Sequence, residues 1–323
     1  MKDFGGRIAV VTGGGTGMGR ELVRQLAAEG CHVAMCDVSA DNMAESRTIA
    51  LEKAPAGTRV TTTVADVADE RQLEAFRDAV IREHATDHVN LVFNNAGIGA
   101  GGSFIRDTRE DWERTFGVCW YGVYYGSRVF LPLLLKASEG HLVNTSSVNG
   151  FWASLGPQTA HTAYSAAKFA VKGFTEALIN DCRLNAPHVK VSIVMPGHIG
   201  TSIMINTARI MGREPQSLTS EQLEDTRKMI ARMGFEVGAV PDDMLRELLQ
   251  QRAEAFRDQA PMSASDAAKI ILDGVRAERW RILVGHDAEV LDRMVRETPE
   301  EAYEASFMER FVKAAGWNFG GRS

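Results

Sequence analysis

The sequence predicts a doubly wound α/β fold: a parallel sheet of about seven strands with helices on both faces. Short apolar runs recur along the chain and alternate with longer, helix-period segments. The runs are continuous rather than alternating, which suits strands buried on both faces of a parallel sheet. A glycine-rich stretch, VTGGGTGMGR, lies where the first run gives way to the first helical segment. At that junction a doubly wound sheet presents free amides to a phosphate.

RIAVVT (7–12) is the first strand. GMGRELVRQLAAEG follows as a helix with Leu22, Val23, Leu26 and Ala27 on one face. CHVAMCD (31–37) is the second strand, and SADNMAESRTIALEK a helix capped by Ser39. RVTTTVAD (59–66) is the third strand, followed by a helix that Asp69 begins. VNLVFNNAG (89–97) runs from a fourth strand into a turn. HLVNTSS (141–147), VKVSIVMPG (189–197) and RWRILVG (279–285) complete the strands.

Residues 200–262 break this rhythm with helical patterns at about 220–233 and 242–258, where Leu245, Leu249, Ala253 and Phe256 repeat at helical spacing. Seven of the thirteen methionines lie between Met195 and Met262. The segment reads either as a helical pair packed on the core or as an adaptable apolar lid over a substrate pocket, and the two are compatible. No linker or repeat divides the chain, so residues 1–323 are expected to form one domain, with an insertion at about 200–262 and an extension at about 286–323.

The 323 residues are 45% hydrophobic and 24% charged, with net charge −6. That balance disfavours a nucleic-acid or anionic-membrane partner. No run approaches the roughly 18–20 apolar residues of a membrane span. Cys31, Cys36, Cys119 and Cys182 form no CxxC pair or Cys/His cluster, so free thiols in a reducing cytoplasm are expected, and no metal site. The start, MKDFGGRIAV, does not read as a signal peptide.

The glycines do not fit GxGxxG; what fits is Thr12-Gly13-x-x-x-Gly17-x-Gly19. Asp37 ends the second strand, 18 residues after Gly19, where an acidic residue takes the ribose hydroxyls of an adenosine. Its charge would repel a 2′-phosphate, and Val38 offers no compensating cation, so NAD is expected over NADP. Otherwise Asp37 is a turn carboxylate. Asp66, closing the third strand, is placed to reach the adenine edge or to begin a helix.

Tyr164 and Lys168 stand four apart in YSAAKFAVKGF and share a helix face. An ammonium beside a phenol favours the phenolate, and lowering a phenol from about 10 by about three units takes about 4 kcal/mol. Ser147 closes the HLVNTSS strand, so its hydroxyl emerges at the carboxyl edge of the sheet, where it can hold a substrate oxygen or cap the next segment. Ser146 is the alternative donor, and one residue of shift turns it to the other face.

Together these residues resemble the short-chain dehydrogenase/reductases, which use one Rossmann-type domain and a nicotinamide cofactor. Thr12–Gly19 resembles the family's TGxxxGxG loop and Asn94-Asn95-Ala96-Gly97 its NNAG turn. Ser147, Tyr164 and Lys168 resemble its catalytic serine and YxxxK pair, and Pro196-Gly197 with Thr201 its PG-x-x-x-T segment. The resemblance spans residues 7 to about 201; the remainder is similar only to long bacterial-type members. It implies an alcohol dehydrogenase or ketone reductase in which Tyr164 is the base, Lys168 lowers its pKa and holds the nicotinamide ribose, and Ser147 steadies the substrate oxygen. It also implies cofactor contacts from Gly13, Thr16, Gly17, Met18, Gly19, Asp37, Asp66, Val67, Asn94, Ala96, Gly97, Tyr164, Lys168, Pro196, Gly197, Ile199 and Thr201. An apolar alcohol or ketone is the implied substrate. A homodimer or homotetramer through helices at about 109–138 and 160–186 is the implied assembly.

Two departures stand out. Cys119 occupies the place of an asparagine in the fourth helix, and a thiol is a poor stand-in for an amide. That asks whether the chain is an enzyme or an NAD-binding regulator. NGFWASLGPQTAHTA, between Ser147 and Tyr164, is longer than usual, with Phe151, Trp152, Leu155 and His161 available to line the pocket. The C-terminal stretch carrying Phe307, Phe311 and Trp317 docks on its own core, covers a neighbouring subunit or shapes the pocket.

Overall fold

In the computed structural model, which describes residues 1–100, 102–156, 159–232 and 236–316, the first three strand–helix units form where the apolar periodicity puts them. β1 (Ile8–Thr12) leads into α1 (Gly17–Ala28), β2 (His32–Asp37) into α2 (Ala40–Glu52), and β3 (Val60–Val64) into α3 (Glu70–His84). α1 buries Leu22, Val23, Leu26 and Ala27. Ser39 and Asp69 cap α2 and α3 by accepting the Asn42 and Arg71 amides.

β4 (Leu91–Asn94) is followed by α4 (Arg109–Phe116), α5 (Gly122–Lys136), β5 (Gly140–Thr145), α6 (Thr162–Asn185) and β6 (Val189–Pro196). The helix expected over 109–138 is interrupted, because a π-helical stretch, Gly117–Tyr121, separates α4 from α5. It holds Cys119 inward, its thiol donating to the Ile98 carbonyl at 3.3 Å. Such stretches insert a residue and re-aim side chains, often at functional sites. Beyond β6 come β7 (Ile199–Gly200), α7 (Ile203–Ile210), α8 (Ser220–Arg232), α9 (Asp242–Asp258), β8 (Met262–Ser263), α10 (Ala264–Arg276), β9 (Arg281–Val284), α11 (His286–Glu297) and α12 (Ala305–Ala315).

The seven-stranded sheet runs β3-β2-β1-β4-β5-β6-β9, all parallel. Strand order reverses between β1 and β4, which opens a crevice at their carboxyl ends. The expectation of continuous apolar strands fails at the edges. Only Val60 of β3 is fully buried, and β9 alternates. An edge strand is covered less completely than a central one, so three threonines suffice in β3.

Leu22 and Leu26 of α1 pack with Ile271 and Leu272 of α10 on one face of the sheet. Leu73 and Phe76 of α3 pack with Phe130 and Leu134 of α5 on the other. A third cluster joins α11 and α12 to the segment after Ser147, with Trp152 wedged against Phe307 and Phe311. The C-terminal extension therefore docks on its own chain; Trp317 lies outside the described residues. α8 and α9 share a small cluster of Leu218, Leu223 and Leu245.

The methionines of 195–262 do not converge on one pocket. Met195 is in the main core, Met229 and Met244 are exposed, and Met233 lies outside the described residues. Among the described residues no helix is long and apolar enough to cross a membrane.

Candidate active site

The loop after β1 and the turn after β4 are packed against each other. Gly13 has φ +67°, and a Cβ there would stand 2.8 Å from the Ala96 Cα. A Cβ on Gly19 would collide with the Gly13 carbonyl oxygen. Only glycine allows both the left-handed turn and this approach. Thr12 Oγ1 accepts the amides of Asn95 at 3.0 Å and Ala96 at 3.1 Å, and Asn95 Nδ2 donates to the Thr12 carbonyl at 3.1 Å. Asn95, not singled out from sequence, ties loop to turn; its one local signal is its place in the NNAG quartet.

Asn94 turns into the core instead, where its Nδ2 donates to Asn144 Oδ1 at 2.8 Å and Ser127 Oγ at 3.0 Å. Thr16 precedes α1 without making a side-chain cap. Its hydroxyl accepts Asn206 Nδ2 from α7 at 2.9 Å. The first-turn amides of α1, from Gly17 through Gly19, have no intrahelical acceptor by geometry and carry the positive end of the helix dipole. The Met18 side chain packs on the core below them.

Asp37 accepts the Gly15 amide at 3.0 Å and the Ser39 amide at 3.1 Å. Beside it opens a cleft of about 520 Å³ walled in part by Val38, Asp41, Arg114 and Arg209. Asp66 pairs with Arg114 at 2.6 Å and accepts the Ala68 amide at 3.0 Å. The Val67 side chain packs against Gly122 at the start of α5. Arg114 and Arg209 have no local sequence signal, because α4 and α7 bring them here.

Ser147 follows β5, and α6 presents Tyr164 and Lys168 on one face. Ser147 Oγ accepts the Asn149 amide at 3.1 Å, and its hydroxyl is near enough to Tyr164 to act on the phenol. Lys168 Nζ donates to the Thr145 carbonyl at 3.0 Å and stands 5.4 Å from the Tyr164 ring centroid. Ser146 faces away from Tyr164, donating to the Lys168 carbonyl at 2.8 Å. Geometry thus separates the two serines. Gly97 lies over the pair, with Lys168 Nζ 3.6 Å and Cys119 Sγ 3.9 Å from where its Cβ would be.

The electrostatics differ from the expectation of a lowered phenol. Burial pushes Tyr164 above its ordinary value, Cys119 adds to the rise, and the neighbouring Ser147 hydroxyl opposes it. Burial also holds Lys168 below its ordinary value. Desolvation of two groups in one dry site outweighs the attraction that the spacing suggests.

The Pro196–Thr201 segment crosses from the sheet to the glycine loop. Gly197 donates to the Val284 carbonyl at 2.9 Å. A Cβ on Gly197 would collide with the Asp287 carboxylate, which accepts the His198 amide at 2.7 Å. Ile199 is buried in β7, and the Thr201 methyl lies 3.0 Å from where a Gly17 Cβ would be. Asp287, at the start of α11, was not foreseen; nothing near it in sequence links it to this segment. A glycine cradle, an uncapped helix start and an acid at the end of β2 fit a bound dinucleotide.

Residues 7–210 match the short chain dehydrogenase family. The SadH oxidoreductase of Mycobacterium tuberculosis is 34% identical over 297 residues, 92% of each chain. Levodione reductase of Leifsonia aquatica is 32% identical over 220 residues, 68% of this chain and 79% of its own. A solved short-chain dehydrogenase/reductase from Burkholderia phymatum, in complex with NAD, superposes with a TM-score of 0.73 at 29% identity, covering 93% of this chain and 96% of that one. Sequence and superposition agree across most of the length, and the chain belongs to the short-chain dehydrogenase family of oxidoreductases.

Proposed function

We propose that the protein interconverts a secondary alcohol and a ketone on an apolar small molecule, using NAD. The observation that carries this is the convergence of Ser147, Tyr164 and Lys168 at the carboxyl edge of β5, across from the glycine loop. Bound NAD would accept the hydride of the carbinol carbon. Tyr164 takes the alcohol proton, and Ser147 holds the substrate oxygen toward it. Lys168, buried and anchored on Thr145, offers its ammonium to the phenolate and to the nicotinamide ribose. Because burial keeps the phenol protonated in the protein alone, its ionisation depends on charge brought in by the ligands.

Gly13, Thr16, Gly17, Met18 and Gly19 hold the pyrophosphate, chiefly through backbone amides. Asp37 takes the ribose, and Asp66 with Val67 borders the adenine. Asn94 contributes by anchoring the turn that presents Ala96 and Gly97. Pro196, Gly197, Ile199 and Thr201 close on the nicotinamide. α7 forms the inner wall of a substrate lid, bound to the turn after β4 through the Gly99 amide and Thr207 Oγ1 at 2.8 Å.

The test is NADH formation across aliphatic, aryl and steroid secondary alcohols. Tyr164→Phe is expected to lower kcat by about 10²–10⁴-fold and to spare NAD binding. Unchanged turnover in that variant would rule out the proposed base. Cys119 in the π-helical stretch favours a second reading, a non-catalytic NAD-binding regulator. NAD binding without NADH from any alcohol would select it.

A homodimer or homotetramer is part of the proposal. Tyr121 and Phe169 are exposed on α4–α6, beside a ladder of Trp120, Tyr124 and Phe174. Light scattering at micromolar concentration should give more than one chain per particle. The buried free thiols suit a cytoplasmic setting.

A further inference from the structure

The segment between β6 and α10 is hinged at its base and bolted at its tip. At the base β7 pairs with β8, so the two ends of 199–263 lie side by side. There His198 Nε2 donates to the Phe256 carbonyl at 2.8 Å. Beyond this hinge α8 and α9 keep a small core of their own, Leu218, Leu223 and Leu245, with Ile230, Val240 and Leu249 packed around it. None of these six side chains belongs to the clusters that cover the sheet.

α7 joins this unit to the body of the protein. Of its eight residues only Thr207 is buried. Ile210 leans, half-buried, on the cluster that α3 and α5 share. The other ties are polar. Asn206 Nδ2 donates to Thr16 Oγ1 at 2.9 Å, and Thr207 Oγ1 accepts the Gly99 amide at 2.8 Å. Just past the helix, Arg213 pairs with Asp111 of α4. Thr16 belongs to the glycine loop and Gly99 to the turn after β4, the two banks of the crevice between β1 and β4. Arg209 and Ile210 also wall the cleft beside Asp37. One short helix therefore bridges both banks. A helix with so little buried surface opens locally at far lower cost than the sheet beneath it.

We propose that α7 gates the cofactor as well as walling the substrate side: Asn206 and Thr207 bolt it across the crevice, and a dinucleotide enters and leaves only while both bolts are released. The same bolts close over the empty and the filled crevice. Weakening one therefore speeds entry and exit together and leaves their ratio, the affinity, in place. This rests on the dinucleotide reading of the crevice and adds to it how that ligand is exchanged.

The experiment follows NADH binding to the full chain by stopped-flow fluorescence, and its release by displacement with excess NAD. In wild type the observed association rate should level off as NADH rises, at the rate at which α7 opens. Asn206→Ala removes one bolt, and Thr207→Val, close in shape, removes the other. Each should raise that ceiling and the release rate together by about threefold to tenfold, the worth of one hydrogen bond, with Kd held within about twofold. Thr207→Ser, which keeps the hydroxyl, should stay close to wild type. A merely structural role would weaken Kd without speeding association. Association that stays linear in NADH with both variants unchanged, or variants that only lose affinity, overturns the gate and leaves the dinucleotide reading standing. No binding of NADH or NADPH by wild type overturns the dinucleotide reading, and the gate with it.

Discussion

The indole Nε1 of Trp152 donates to the Ala302 carbonyl at 2.6 Å, across 150 residues of chain. Trp152 lies five residues beyond Ser147, and Asn149 Nδ2 holds the Trp152 and Ser154 carbonyls at 3.0 and 2.9 Å. The C-terminal extension therefore fixes the segment that leaves the candidate catalytic serine.

Trp152→Phe should leave the buried Ala302 carbonyl unpaired and cost about 1–3 kcal/mol of stability. Trp152→Ala, which empties the space between Phe307 and Phe311, should cost about 3–5 kcal/mol. In the Phe variant the alcohol KM should rise several-fold with NAD affinity held. Urea midpoints and steady-state kinetics check both. A fall in NAD affinity with unchanged KM would place the effect elsewhere.

Asp287 couples the same extension to the Pro196–His198 turn, the proposed nicotinamide end of the site. Its carboxylate accepts the amides of His198 and Ala288 at 2.7 and 2.9 Å. Asp287→Ala should loosen the Pro196–His198 turn and weaken NAD binding by about tenfold, equivalent to about 1.4 kcal/mol. Calorimetric titration with NAD measures this. An unchanged Kd would mean the turn holds its shape alone.

Asp37 should set cofactor choice. Wild type is expected to use NAD far better than NADP, and Asp37→Ser should narrow the gap by at least about tenfold, mainly by admitting the 2′-phosphate. The ratio of kcat/KM for the two cofactors is the readout. A wild-type preference for NADP would contradict the role given to Asp37, and would turn attention to Arg209 in the adjoining cleft.

Acid should destabilise the protein through two buried histidines. Burial pushes His84 down to about 4 and His141 down to about 3. Below about 6.5 the unfolded chain takes up protons that these folded rings refuse. Their contribution is complete above that pH and is lost as pH falls toward 4 and then 3, by up to about 1.4 kcal/mol per pH unit for each ring. Thermal midpoints should drop over this window. His141→Gln, which keeps a partner for Ser192 and cannot titrate, should flatten the slope; an unaltered slope would remove His141 from the account.

Much of the fold was legible because it is encoded within a few residues at a time. Apolar runs place β1, β2, β4, β5 and β6, the glycine pattern marks the turn into α1, and a four-residue spacing is enough to put Tyr164 and Lys168 on one face of α6. Ser147 is read ahead of Ser146 because one residue of register turns a side chain to the opposite face, and in the structure the Ser146 hydroxyl is anchored on the Lys168 carbonyl.

The sequence by itself determined the sheet, the phosphate-type loop and the set of side chains at its edge, since periodicity and spacing are local properties. The tertiary structure alone decided the upward push on the Tyr164 phenol, the inward turn of Cys119, and the hold of Trp152 and Asp287 on the two ends of the site. Desolvation and long-range hydrogen bonds depend on which distant segments arrive around a group, and neighbours along the chain carry no record of that.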